Sequence, residues 1–169
     1  MSIVSVEKDY EGHSLELVAE FDAPIEAVWQ LWADPRKLER WWGPPTHPAT
    51  VEEHELTVGG AVSYVMTGPE GETSRGWWRV TAAEPPRSLA FTDGFANRDG
   101  SPNPQTPTTD VTVRLTEQEG RTRMELRFAF ESGEHMERVE HLGAFDVFPQ
   151  SVAQMDAVLA THDPDQEVP

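Results

Sequence analysis

Short stretches in which apolar and polar residues alternate recur along the chain, and each predicts a β-strand with one buried face. The first is SLELVAEF, residues 14–21. The pattern is clearest in two later stretches, DVTVRLTE and RTRMELRFAF, which place on one face Val111, Val113, Leu115, Met124, Leu126, Phe128 and Phe130. Four more strands are predicted in TVEEHEL, AVSYVMTG, TSRGWWRVTAAE and SLAFTD. Glycines and prolines between the stretches predict turns, so the strands are expected to form an antiparallel sheet.

A different spacing, with apolar residues three and four positions apart, predicts helices in two parts of the chain. After the first strand, DAPIEAVWQLWAD predicts a short helix with Asp22 as its N-cap. PRKLERWW predicts a second short helix, which Gly43 and the two prolines after it end. Residues 134–161 carry one apolar face and predict a long C-terminal helix. Gly143 and Pro149 interrupt it, so a kink or break is expected between them.

This order of elements predicts one domain, residues 14–161, in a chain of 169 residues. Residues 1–13 are interpreted as an N-terminal extension, and residues 162–169 as a flexible tail. Residues 94–109 are rich in proline and predict a long loop. A curved antiparallel sheet has one apolar face, and a long helix laid across it is the simplest cover. The predicted fold class is therefore α+β, with about seven strands in a β-α-α-β6-α order wrapped around the C-terminal helix.

Five phrases of the sequence carry a family resemblance. They are FDAPIEAVWQLWADPRKLERWWGP, the glycine pair at 59–60, RGWWRVTAAEPPRSLAFTDGF, TTDVTVRLTEQEGRTRMELRFAF and SVAQMDAVLA. Together they resemble the helix-grip, Bet v 1-like superfamily, also called START-like or SRPBCC, and within it the group related to the C-terminal domain of the activator of the heat-shock protein 90 ATPase. The resemblance implies an apolar pocket between sheet and long helix. It also implies a range of functions that includes lipid and hormone carriers, polyketide cyclases and co-chaperone domains.

The chain departs from this group in its long helix, where it reads GAFDVFPQS. The relatives carry a Gly-Met or Gly-Trp pair there, followed by small and acidic residues. Phe145, Phe148 and Pro149 are therefore expected to fill or reshape that end of the pocket.

Charge and cysteine content narrow the classes of partner. The chain has 30 acidic and 13 basic residues and a formal net charge of −17, so its field repels phosphate backbones and anionic lipid headgroups. Neither a nucleic acid nor a membrane is expected as a partner. The absence of cysteine excludes disulfides and thiolate sites and fits a reducing cytoplasm. The first residues lack the basic and apolar regions of a signal peptide, so a cytoplasmic location is predicted.

Candidates for acid–base chemistry are few. His54 and Asp93 would serve a cyclase or hydrolase if they lay in the pocket, and a side chain facing water or a backbone group is the alternative for each. Other polar candidates for inward faces are Tyr64, Arg79, His135 and His141. The two helix histidines are six residues apart and would lie on different sides of the helix. Glu52 and His54 share a strand face but fall short of a three-ligand site, so no metal is expected, and no cofactor.

Apolar residues form the larger candidate set. Tryptophan and methionine suit a pocket that adapts to a flat or apolar ligand. The alternative role for these residues is ordinary core packing. The candidate ligand-binding residues are Trp41, Trp42, Tyr64, Met66, Trp78, Phe91, Met124, Phe128, Leu142, Phe145 and Phe148. Adjacent helical residues point about 100° apart. One of Trp41 and Trp42 is therefore expected to close the open end of the grip while the other is partly exposed.

Three functions remain open from the sequence. The leading hypothesis is non-catalytic binding of a small hydrophobic or aromatic molecule between sheet and helix. The first alternative is an enzyme similar to polyketide or aromatic cyclases. The second is an interaction domain similar to the co-chaperone that names the group, with a chaperone as partner. Six tryptophans fit either a well-packed monomer or the interface of a homodimer.

Overall fold

One antiparallel sheet of eight strands forms the body of the protein. A computed structural model describes residues 2–160; the predicted tail, residues 162–169, lies outside the described residues. The strands are β1 (Ser2–Asp9), β2 (Ser14–Phe21), β3 (Ala49–His54), β4 (Ala61–Thr67), β5 (Thr73–Glu84), β6 (Ser88–Ala96), β7 (Thr109–Gln118) and β8 (Arg121–Phe130). Their spatial order is β1-β2-β8-β7-β6-β5-β4-β3. The α+β fold class is confirmed, with one strand more than predicted because residues 2–9 pair with β2.

Five helical segments lie within residues 2–160. They are α1 (Ile25–Ala33), α2 (Pro35–Trp41), α3 (Gly133–His141), α4 (Ala144–Ala153) and α5 (Met155–Ala160). The predicted long helix is thus divided into three segments. The first break lies at Gly143, whose φ of 85° is in the left-handed region that favours glycine. Pro149 lies inside α4, which continues through it.

The start of α1 differs from the prediction. Asp22 is not its N-cap: the cap position is held by Pro24, which has no side-chain hydrogen bond to offer. The Asp22 carboxylate instead lies 2.8 Å from Nε of Arg121 at the start of β8. The first helical amide, that of Ile25, donates to Oε1 of Glu117 on β7 at 2.6 Å. A carboxylate from the sheet therefore does the capping, as the positive end of a helix favours.

The core lies between the sheet and the helices that cover it. The seven side chains predicted to face inward from β7 and β8 are all buried. α1 and α2 pack against α5. In the sheet, α3 contacts β8 and α4 contacts β1. Gln154, at the junction of α4 and α5, donates from Nε2 to the carbonyl of Gly43 at 2.6 Å. This bond fixes the C-terminal segments to the end of α2.

None of the helices within residues 2–160 combines the length and the apolar character needed to cross a membrane.

Candidate functional site

A cavity of about 410 Å³ lies between the sheet and the C-terminal segments. Its wall is formed by the end of α2 and the following loop, by β4, β5, β6 and β8, and by α3 and α4. Most of the wall is aromatic or aliphatic. The residues that line it include Trp41, Trp42, Tyr64, Met66, Asp93, Phe95, Leu126, Phe128, Phe130, Val139, Leu142, Val147, Phe148 and Val152. Volume and lining are typical of small-molecule sites.

The structure brings seven of the eleven candidate ligand-binding residues together on this wall. They are Trp41, Trp42, Tyr64, Met66, Phe128, Leu142 and Phe148. The other four lie outside the lining. Trp78 and Phe91 stack on each other with ring centroids 3.8 Å apart, and Met124 is fully buried in the core. Phe145 packs against Phe130, with its ring centroid 5.5 Å from Nζ of Lys8 on β1.

Of the two arrangements expected at that end of the pocket, Phe148 shapes the cavity and does not fill it. Its ring stacks on Phe128 with centroids 4.3 Å apart and planes 5° from parallel. Stacking places the ring flat against the sheet, so it becomes part of the wall. The break at Gly143 contributes to this arrangement because it lets α4 take its own direction over the sheet.

Both adjacent tryptophans contribute to the wall, although they differ in burial. Trp41 is 1% exposed, and its indole N–H donates to the carbonyl of Leu31 at 2.8 Å. Trp42 is half-buried, and its indole Nε1 has no hydrogen-bond partner among the described residues. The chain turns immediately after them: a Cβ on Gly43 would lie 2.1 Å from the carbonyl oxygen of His47. Glycine is therefore required for the turn that leaves both rings facing the cavity region.

Asp93 and Tyr64 introduce polarity into the apolar wall. The Tyr64 hydroxyl donates to Oδ1 of Asp93 at 2.8 Å, across β5, which lies between their strands. Gly76 on β5 makes this reach feasible, because a Cβ there would lie 2.3 Å from the Tyr64 ring. Asp93 is half-buried, and it lies on the cavity wall. Of the two sequence candidates for acid–base chemistry, Asp93 therefore lies on the cavity wall.

The environment changes the proton affinity of both groups. Burial raises the pKa of the Asp93 carboxyl from 3.8 to about 7, while the Tyr64 hydroxyl and the Trp78 indole N–H limit the rise. Burial also raises the pKa of Tyr64 well above its ordinary value, and the nearby Asp93 charge adds to this effect. The indole groups of Trp42 and Trp78 oppose it. Since neither indole N–H is aligned for a hydrogen bond, we interpret both as nearby dipoles.

The remaining polar candidates are dispersed. A ring nitrogen of His54 lies 2.9 Å from the carbonyl oxygen of Trp32, and His54 does not line the cavity. Arg79 and His141 are exposed. His135 is buried on the wall, and burial lowers its pKa. Within residues 2–160, no three His, Asp or Glu side chains are grouped as metal ligands.

The mouth of the cavity carries Leu142, which the sequence analysis named, together with Phe95, which it missed. Phe95 and Leu142 line the cavity and are 56% and 74% exposed, so the opening lies between the end of β6 and the corner of α3 and α4. Arg75 and Arg138 also line the wall. Arg75 Nη1 forms an ion pair with Glu52 on β3. In the sequence, the only signal that Arg75 lies on the cavity wall is its position immediately before Gly76 on the same strand.

Comparison with known proteins identifies the family. The profile of the family described as Activator of Hsp90 ATPase homolog 1-like protein matches residues 22–160. The chain belongs to this family. The predicted membership of the helix-grip superfamily is thereby confirmed, and the cavity described above lies within the matched residues. No curated protein matches the chain.

Solved structures from three bacteria resemble the chain over most of its length. A protein from Arthrobacter aurescens is 50% identical, with a TM-score of 0.90 over 94% of this chain and 92% of that one. A protein from Mycobacterium smegmatis is 42% identical, with a TM-score of 0.85 over 96% of this chain and 100% of that one. The AHSA1 protein from Silicibacter pomeroyi is 27% identical, with a TM-score of 0.69 over 89% and 99%.

Proposed function

We propose that the protein binds a small hydrophobic or aromatic molecule in the cavity between the sheet and the C-terminal segments, without catalysing a reaction on it. The observation that carries this proposal is the open cavity of about 410 Å³ behind an apolar mouth. A well-packed core without a ligand would close such a space, since interiors pack as densely as organic crystals.

The wall suits a flat ligand. Phe128 and Phe148 present stacked rings, and Trp42 meets Trp78 edge-on with centroids 4.8 Å apart. Offset and edge-on contacts with a planar ligand add to the free energy gained by burying its apolar surface. Met66 on the wall can adapt to different outlines because its side chain is flexible and polarisable.

Native mass spectrometry of the purified protein tests the proposal directly, since a bound small molecule adds mass to the folded species. A thermal-shift screen with flat hydrophobic compounds, naphthalene among them, complements it, because a ligand that binds only the folded state raises the melting temperature. We expect either added mass or a concentration-dependent rise in Tm. No added mass and no shift across the panel would refute the proposal.

A variant that fills the cavity, compared with a control on the same helix, tests where the compounds bind. Val147 lines the cavity from α4, whereas Gln150 on the same helix is exposed. Val147→Trp should abolish the thermal shift by occupying the space, and Gln150→Trp should retain it. Equal responses from the two variants would show that the compounds bind elsewhere.

A second candidate function rests on the position of Asp93. Its carboxyl lies on the cavity wall with a pKa of about 7, where a general base takes up and returns protons near neutral pH. In a cyclase-like reaction the carboxylate would remove a proton from the carbon between two ketone groups, leaving an enolate on the substrate and a protonated Asp93. Deuterium exchange of 1-phenyl-1,3-butanedione in D₂O, followed by NMR, tests this step. Exchange that is no faster with wild-type protein than with Asp93→Asn would exclude it.

A further inference from the structure

A polar cluster lies at one place in the apolar wall, formed by Tyr64, Asp93 and Trp42. The Tyr64 hydroxyl uses its proton in the bond to Oδ1 of Asp93. Oδ2 of Asp93 accepts no hydrogen bond from the described residues. All three side chains line the cavity, and the Trp42 and Tyr64 rings meet edge-on with centroids 5.9 Å apart. The Tyr64–Asp93 pair and the Trp42 ring therefore border the same space.

The indole N–H of Trp42 is the donor of this cluster. Its Nε1 is buried and has no hydrogen-bond partner in the described part of the chain. Trp78, edge-on to Trp42, has an equally unpartnered Nε1. A buried donor without a partner is costly to the folded protein, so a ligand atom that accepts from it gains the bond at little further desolvation. A ligand group that reaches this N–H beside Asp93 would relieve that cost.

Charge restricts what can pair with this cluster. Among the lining residues that the structure describes, Asp93 is the only carboxylate, while Arg75 and Arg138 are cationic. A cationic ligand would meet the two arginines, and an anionic group next to Asp93 would meet a like charge in a poorly solvated site. A neutral group that both donates and accepts a hydrogen bond is the complement of the cluster. A hydroxyl on an aromatic ring has this property and fits the flat wall.

We propose that the cavity is specific for neutral hydroxyaromatic compounds, whose hydroxyl donates to Oδ2 of Asp93 and accepts from the indole N–H of Trp42. This inference rests on the proposed binding function and adds the chemical class of the ligand. The hydroxyl end lies against Tyr64, and the ring extends between Trp42 and Phe128.

Three probes of nearly the same shape test the inference by isothermal titration calorimetry on the wild-type protein. They are 2-naphthol, which donates and accepts; 2-methoxynaphthalene, which only accepts; and naphthalene, which does neither. At about pH 8 most of Asp93 is ionised, and a phenol with a pKa near 10 is neutral. We expect 2-naphthol to bind at least about tenfold more tightly than either of the others.

The outcomes separate the two proposals. If all three probes bind with equal affinity, the hydroxyl specificity is wrong and cavity binding stands. If none of them binds, the proposed binding function fails for flat aromatic compounds, and the specificity fails with it.

A double variant locates the preference. Tyr64→Phe/Asp93→Leu removes both partners of the hydrogen bond, which avoids leaving one buried and unpaired. It should bind naphthalene as the wild type does and lose the preference for 2-naphthol. The control, Thr92→Val/Asp110→Leu, removes the bond between β6 and β7 at 3.0 Å, outside the cavity lining. A preference that survives in the first variant would overturn the assignment of Asp93.

Discussion

Gly76 decides whether Tyr64 can reach Asp93. Tyr64 on β4 and Gly76 on β5 are direct pairing partners. The Tyr64 ring lies over the space that a side chain at position 76 would occupy. Asp93 lies one strand further, on β6. The hydrogen bond across three strands therefore depends on the absence of a single methyl group at the middle strand.

Gly76→Ala should displace the Tyr64 ring, weaken its bond to Asp93 and lower the free energy of unfolding by about 1–3 kcal/mol, as overpacking of a core does. Urea denaturation measures the stability, and calorimetry with 2-naphthol measures the site. Gly133→Ala is the control, because the nearest atom to its added methyl is in the His13 side chain at 3.3 Å. Equal stability losses in the two variants would contradict this account.

The raised pKa of Asp93 makes stability depend on pH in a defined direction. Its folded value is about 7 against 3.8 for the ordinary carboxyl, so the folded state binds the proton more tightly than the unfolded state. The contribution of Asp93 to stability therefore falls as pH rises from about 4 to about 7. Tyr64 is the titratable group bonded to Asp93, and it stays protonated over this range.

Asp93→Asn removes the ionisation and keeps an acceptor for Tyr64. Relative to wild type, it should gain stability as pH rises from about 5 to about 8, by on the order of 2 kcal/mol after allowance for cavity exposure. Urea denaturation of both proteins across this range measures the difference, in which the other titrating groups cancel. A difference that does not change with pH would show that Asp93 titrates normally.

At the scale of elements, Gln154 anchors the C-terminal segments to the turn after α2. Its Nε2 donates to the carbonyls of Gly43 and Trp41 at 2.6 and 3.3 Å. On the other side of Gly143, Glu140 of α3 accepts from Lys8 and from the Tyr10 hydroxyl, 3.0 and 2.7 Å away. Both halves of the helical cover thus contact Lys8 of β1, since its Nζ also lies over the Phe145 ring of α4, and Gln154 adds a second attachment at the turn after α2.

Gln154→Ala should cost about 1–2 kcal/mol of unfolding free energy, because it leaves partly buried carbonyl groups without their donor. Gln150→Ala, at an exposed position one turn earlier on α4, should change it by less than about 0.5 kcal/mol. Chemical denaturation of the two variants gives the comparison. If Gln150→Ala is equally destabilising, the anchoring role is wrong.

The strands with one buried face were predictable from the sequence, and β1 was not. Leu15, Leu17, Val113 and Leu126 are buried, as their alternation predicts. β1 lies at an edge of the sheet, where Val4 and Val6 are exposed, and its pairing shifts register between Ile3 and Ser5. An edge strand with no buried face gives no period-two pattern, so its sequence reads as an extension.

The site was only partly predictable. Strand parity placed Tyr64 with the inward residues, and Asp93 follows Phe91 at the same parity on β6. The bond between Tyr64 and Asp93 depends on strand register and on Gly76, which sequence spacing does not encode. Sequence spacing also does not encode the stacking of Phe148 on Phe128. It depends on the bend at Gly143 and on how α4 packs on the sheet.

At the scale of the whole molecule, the formal charge of −17 is a destabilising property. Repulsion among surface carboxylates opposes the compact state, and added salt screens it. Raising NaCl from about 20 to about 300 mM should therefore raise the Tm, as differential scanning calorimetry can measure. NaCl is preferred to sulfate, which stabilises most proteins by exclusion from their surface. A constant or falling Tm would mean that local ion pairs outweigh the net charge.

The corner at Gly143 has a consequence for the rate at which a molecule enters and leaves. The cavity wall opposite the sheet consists of two helical segments on either side of Gly143. Both contact Lys8 of β1, through Glu140 and Phe145, and the second is also bonded through Gln154 to the turn after α2. These attachments are side-chain contacts outside the strand ladder, so their local opening would break none of the hydrogen bonds between strands. We therefore expect a bound molecule to leave by local opening of this cover, which is faster than global unfolding of the domain.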